Sequence, residues 1–222
     1  MEKVVNGILD FQKHAFKENK DLFAELANGQ NPEVLFITCA DSRIDPNLVT
    51  QTQPGDLFIC RNAGNIVPPH VRQAGGVTAS IEFAVAALGV KDIVVCGHTD
   101  CGAMKGALTP EALNSLPHVK DWIDHSRAAV ECVKAKHGQA TMNELLEVTE
   151  QNVLLQLQHL RTHPSVAAKI VNKEVSLHGW VYHIENGDVT CYDESQDVFI
   201  SVQERYASLV SSNGNTGDAV SA

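Results

Sequence analysis

Two runs, Val34-Leu35-Phe36-Ile37 and Ile93-Val94-Val95-Cys96, constrain the fold more than any other feature of the chain. Each is short, continuously apolar and β-branched, which predicts strands covered on both faces of a parallel sheet. Their C-terminal ends then point the same way, and open α/β sheets bind ligands in the crevice beyond such ends. The first run leads into Cys39-Ala40-Asp41-Ser42-Arg43 and the second into His98-Thr99-Asp100-Cys101. Two thiolates and an imidazole are thereby expected at one sheet edge.

The remaining pattern fits that frame. Val4, Ile8, Leu9, Phe11 and Phe16, then Leu22, Phe23 and Leu26, recur at helical spacing through residues 3–28, which predicts two helices stopped by Gly29. A strand is expected over 33–38, a short helix from Asp45-Pro46, and a second strand over Leu57-Phe58-Ile59-Cys60-Arg61 after the Pro54-Gly55-Asp56 turn. The loop Asn62-Ala63-Gly64-Asn65-Ile66-Val67-Pro68-Pro69 requires unusual backbone geometry, and Gly75-Gly76 opens a helix over 77–88 that Gly89 ends. A third strand, 92–97, delivers His98. Helices follow over 103–108, 120–136, 141–161 and 166–171, with Thr141 and Glu144 spaced as a capping box. Around Asn186-Gly187, the segments 179–184 and 188–192 predict a hairpin with a tight primed turn.

The expected class is α/β, a mostly parallel central sheet flanked by helices with an antiparallel C-terminal edge hairpin. No linker divides the chain, so one domain is expected over 1–210, and the Ser, Asn, Gly and Thr from Ser211 onward predict a disordered tail over 211–222.

A formal charge of −10 with dispersed basic residues lacks the footprint for nucleic acid. No run approaches a membrane span, and Met1 to Asn6 leads into an amphipathic pattern instead of a signal-peptide core, so a soluble cytoplasmic protein is expected. Six cysteines are too few for a disulfide framework in a chain of this length. Cys60, Cys96, Cys132 and Cys191 read as packing residues.

Cys39, His98 and Cys101 suit zinc, which takes thiolate and imidazole tetrahedrally; three protein ligands leave the fourth position for water, as in catalytic centres. The plain alternative, two core cysteines and a loop histidine, is outweighed by the strand-end context. Gly97 and Gly102 have P-loop spacing, but Ala103-Met104 stands where Lys-Ser/Thr is required. A cysteine-nucleophile hydrolase with His98 as base is the other rival, and it leaves one cysteine unexplained. Asp41 and Arg43 read as an ion pair beside the metal, with Arg43 aiming a carboxylate that accepts from metal-bound water. In a closed state Asp41 could itself become the fourth ligand.

Three segments, Cys39 to Arg43, Arg61-Asn62-Ala63-Gly64-Asn65 and Gly97 to Gly106, together with His178-Gly179-Trp180, closely resemble the β-class carbonic anhydrases of the bacterial and plant-like branch. The resemblance covers residues 3–205. It implies a lyase with one Zn²⁺ per chain that reversibly hydrates carbon dioxide to bicarbonate and a proton through zinc-bound hydroxide. It also implies N-terminal helices exchanged in a homodimer or a larger assembly such as a tetramer. Gln30, Phe58 and the Gly102 backbone match substrate-pocket positions, Gln30 serving across the dimer interface. Phe83 stands where relatives carry tyrosine, leaving an apolar wall without a hydroxyl. Phe36 replaces the tryptophan of a bicarbonate-regulated branch, which puts that regulation in doubt. Carbon disulfide or carbonyl sulfide hydrolysis at the same metal, and a noncatalytic zinc-stabilised module closed by Asp41, are the alternative functions.

Overall fold

The computed structural model describes residues 1–72 and 75–209, so the tail expected over 211–222 lies outside the described residues. Four strands, β1 (Val34–Cys39), β2 (Leu57–Asn62), β3 (Asp92–His98) and β4 (Ser176–Tyr182), pair in parallel. Two more, β5 (Val189–Asp193) and β6 (Val198–Ser201), continue the sheet antiparallel, in the order β2-β1-β3-β4-β5-β6. β2 and β6 are therefore the edges. The register pairs Val34 with Asp92 and Thr38 with Cys96, so Cys39 and His98 emerge from neighbouring strands at the same end.

Strand alternation divides the core in two. Leu35, Ile37, Ile93, Val95 and Val181 face a large cluster with Ile81, Val85, Val153, Leu160 and Val166. Phe36, Val94 and Cys96 face the opposite side with Ile44 and Trp180. Around the sheet lie α1 (Glu2–Lys13), α2 (Ala15–Glu18), α3 (Lys20–Leu26), α4 (Pro46–Thr50), α5 (Gly76–Glu82) and α6 (Gly102–Leu108). These are followed by α7 (Pro117–Ile123), α8 (Arg127–His137), α9 (Leu145–Leu160), α10 (Pro164–Val171) and α11 (Val202–Arg205). Helix α9 sits close to the sheet because Gly97 and Gly179 have no side chains. A Cβ on Gly97 would lie 3.0 Å from Val153 Cγ2, and one on Gly179 only 2.9 Å from Val153 Cγ1. Thr141 and Glu144 form the expected capping box ahead of α9.

Several expectations are corrected. The N-terminal arm has three helices instead of two, broken at His14 and Asn19; the breaks let Phe11, Phe16 and Phe23 meet with ring centroids 5.2–6.0 Å apart. The 77–88 helix is α-helical only to Glu82, and Phe83–Leu88 widens into a π-helical turn closed by Gly89 at φ 72°. The 120–136 helix is two helices, α7 and α8, joined by a tighter turn at Asp124–Ser126.

The C-terminal turn is longer than a two-residue primed turn. Tyr182 pairs with Val189, leaving residues 183–188 as the connection. Asn186 Oδ1 takes the Asp188 N–H at 3.0 Å, while the Gly187 N–H goes back to His183 O at 2.8 Å, so both groups are used inside the loop. The hairpin also gains a third strand, β6. Cys96 and Cys191 are buried and Cys60 partly so, as packing residues should be, whereas Cys132 is exposed on α8.

Candidate metal centre

Cys39 is the last residue of β1 and His98 the last of β3, which brings their side chains together through the sheet register alone. Cys101 needs a turn. Asp100 makes it at φ 58°, a left-handed conformation that aspartate tolerates better than most side chains, and Cys101 then leads into α6. The two sulfurs and one imidazole nitrogen lie within 4.8 Å of one another, and all three residues are buried.

Their protonation is set by their neighbours. His98 Nδ1 lies 2.8 Å from Thr99 O, an acceptor, so Nδ1 carries the proton and Nε2 presents its lone pair. That Nε2 is buried with no hydrogen-bond partner. Cys39 Sγ accepts the backbone N–H groups of Asp41 and Gly64, each at 3.4 Å. Its pKa is lowered, chiefly through a hydrogen bond from the Cys101 thiol, with the two amides helping and burial opposing. Cys101 is pushed up in turn, since it donates that proton and would otherwise place a second negative charge beside the first. A cation between the sulfurs removes that conflict, and an orphaned, correctly tautomeric imidazole nitrogen completes a donor set suited to zinc.

Beside the cluster, Arg43 grips Asp41 with both arms, Nε to Oδ1 at 3.0 Å and Nη2 to Oδ2 at 2.8 Å. Hydrogen bonding to Arg43 holds the Asp41 carboxyl well below the usual carboxylate range. Asp41 Oδ2 stands 3.9 Å from His98 Nε2. Asp100 extends the pair: its Oδ2 accepts from Arg43 Nη1 at 2.9 Å, and Lys105 forms an ion pair with the same carboxylate. The sequence reading missed Asp100 and Lys105, although Asp100 lies inside the His98-to-Cys101 motif. It also missed the task of Arg61. Its guanidinium donates to the carbonyls of Cys39, Asp41 and Ile44 at 2.8–3.0 Å, stapling the chain downstream of the first sulfur.

The pocket positions fall into two groups. Gly102 opens α6 directly after Cys101, and a Cβ there would meet no neighbour. Phe58 pairs with Leu35, four residues before Cys39, which at about 3.3 Å per residue sets it about 13 Å back along the sheet. Phe83 packs 6.0 Å from the Phe58 ring and is 47% exposed. Gln30 is exposed in the loop before β1. Within one chain, Gln30, Phe58 and Phe83 are thus not gathered around the sulfurs.

Comparison with known proteins points one way. The family model described as carbonic anhydrase matches residues 34–189. A carbonic anhydrase of Pseudomonas aeruginosa is 44% identical over 220 residues, covering 99% of this chain and 100% of that protein. One from Synechocystis is 43% identical over 94% of this chain and 77% of its own length. Among solved structures, the β-carbonic anhydrase CcaA superposes with a TM-score of 0.87 at 43% identity, over 90% of this chain and 98% of that one. A tetrameric β-carbonic anhydrase from Sordaria macrospora gives 0.74 at 29% identity, over 86% and 95%.

Proposed function

The chain belongs to the β-class carbonic anhydrases, enzymes of reversible carbon dioxide hydration, and from that premise we propose how its own residues divide the work. Cys39, His98 and Cys101 would hold one zinc ion per chain. The observation that carries this is the buried trio of two sulfurs and a partnerless imidazole nitrogen beside an arginine-held carboxylate. Bound there, zinc supplies Lewis acidity that makes water nucleophilic near neutral pH.

Asp41 has the orienting role. Its carboxylate, clamped by Arg43, accepts a hydrogen bond from the reacting water and turns a lone pair toward the carbon of carbon dioxide. Arg43 fixes the direction of that acceptor because its planar fork meets both oxygens. Asp100 holds the far side of the guanidinium and is itself paired with Lys105. Gly102 leaves the approach beside Cys101 free of side-chain bulk. The arginine clamp on Asp41 argues against a permanent fourth ligand, and so for catalysis over a closed structural site.

The assembly is a homodimer in which Gln30, Phe58 and Phe83 complete the partner's pocket. Two observations support it. These residues stand apart from their own chain's sulfurs, and Val4, Ile8, Phe11 and Phe16 on the N-terminal arm are 41–58% exposed, an apolar stripe left uncovered. Among the described residues no helix is long and apolar enough to cross a membrane. Thiolate ligands favour a reducing compartment, which supports a cytoplasmic setting.

Elemental analysis with stopped-flow carbon dioxide hydration tests the reading. One zinc per chain and turnover that scales with zinc content are expected, and Cys101→Ala should lose both. Full zinc and full turnover in Cys101→Ala would refute the ligand set.

A further inference from the structure

The loop from Ala63 to His70 belongs to neither sheet nor helix, yet Gly64, Asn65, Ile66 and Val67 are buried. Buried backbone groups require partners, and here side chains supply them. Asn152 Nδ2 donates to Gly64 O at 3.1 Å, and Gln156 Oε1 accepts the Val67 N–H at 2.9 Å. His159 Nδ1 donates to Val67 O at 2.7 Å, and His163 Nε2 to Pro68 O at 3.0 Å. Both histidine tautomers follow from facing carbonyls, which can only accept. The four residues are spaced 152, 156, 159 and 163, one stripe along α9 continued into the turn that follows it. They are also joined to each other. Gln156 Nε2 donates to Asn152 Oδ1 at 2.8 Å, and His159 Nδ1 also reaches Gln156 Oε1 at 3.1 Å.

This stripe ends at the metal centre. The residue that Asn152 holds by its carbonyl, Gly64, is the one whose N–H points at Cys39 Sγ. Gly64 has no slack on its other side: at φ 80°, a Cβ there would lie 2.9 Å from Ala103 Cβ. Its peptide is pinned between α6, which follows Cys101, and α9. We propose that Asn152, Gln156, His159 and His163 are positioning residues for the metal centre, acting through the buried loop to hold the Gly64 N–H on the Cys39 sulfur. The stripe touches neither substrate nor metal. It fixes how much negative charge the sulfur keeps for the cation, the task outer groups perform at metal sites. The inference rests on the zinc reading above.

The test uses the full chain loaded with zinc, and in parallel with cobalt(II), whose sulfur-to-metal absorption reports the thiolates directly. Asn152→Leu and Gln156→Leu should speed zinc release to a chelator by about 10- to 100-fold and shift the cobalt band. Thr149→Val is the control. It is equally buried on the same helix, and its hydroxyl bonds only Leu145 O within that helix, so release and band should not change. His159→Gln keeps a donor for Val67 O and should behave as the unaltered chain, whereas His159→Phe should release zinc faster. If the leucine variants do not fold, the half-buried His159 pair decides. Unchanged release and an unchanged band in folded leucine variants would overturn the inference, as would equal effects of His159→Phe and His159→Gln. An unaltered chain that binds no zinc would instead overturn the zinc reading itself.

Discussion

At the scale of single residues, the charges beside the sulfurs act as a unit. Asp41 and Arg43 share two side-chain hydrogen bonds besides the Arg43 backbone N–H on Asp41 Oδ1, so removing either side chain frees the other. Asp41→Asn and Arg43→Ala are each expected to lower turnover about 10- to 100-fold, and the double variant to be little worse than either single one. Stopped-flow assays at measured zinc content check this; losses that simply add would separate the two roles. A second expectation concerns His159 and His163, whose pKa values burial lowers, with neighbouring histidines, His125 and His163 for the first and His70 for the second, adding a smaller push. The unfolded chain then binds more protons than the native one as pH falls below about 6.5, so stability declines with acidification until the depressed native values are reached. Denaturant unfolding should show that decline, and His163→Gln should flatten it. The clustering of Cys39, His98 and Cys101 was legible because residue type and strand ends coincide. Asp100 and Lys105 were not, since the contact of Asp100 with both Arg43 and Lys105 depends on one left-handed backbone conformation that the sequence does not display.

At the scale of elements, the strands β1 and β3 follow from apolar runs that need cover on both faces, and the edge strand β2 from the Pro54-Gly55-Asp56 turn that precedes its apolar residues. The breaks in helices do not, because periodicity survives a change of winding. Phe83–Leu88 keeps its apolar spacing while turning π-helical, and α7 and α8 read as one helix across a tight turn. β6 escaped notice because four residues after a polar turn carry too little pattern. The seat of α9 gives a sharp expectation. Gly179→Ala would press a methyl group against Val153 and Leu157, side chains in a close-packed layer, and should destabilise the fold by about 1–3 kcal/mol. Chemical denaturation measures it. The same substitution at Gly138, whose added Cβ would meet nothing, is costly only through its φ of 75°.

At the scale of the whole molecule, the exposed stripe on α1 and α2 and the distance of Phe58 and Phe83 from the sulfurs both support the proposed second copy. Deleting residues 1–28 should shift the protein to a smaller species in sedimentation and depress turnover; full activity with unchanged size would remove the interface. Subunit number was beyond the sequence, since an apolar helical stripe reads the same whether it covers its own core or another's. The sheet edge at β2 carries a further consequence. Leu57–Asn62 contains no proline or lysine, Ile59 is 36% exposed, and its one arginine is turned back onto backbone carbonyls. Such a strand lacks the usual guards against pairing with strangers. Chains parted from the proposed partner by dilution or mutation are therefore expected to precipitate as sheet-rich aggregates, so that the proposed assembly would guard solubility as much as complete a pocket.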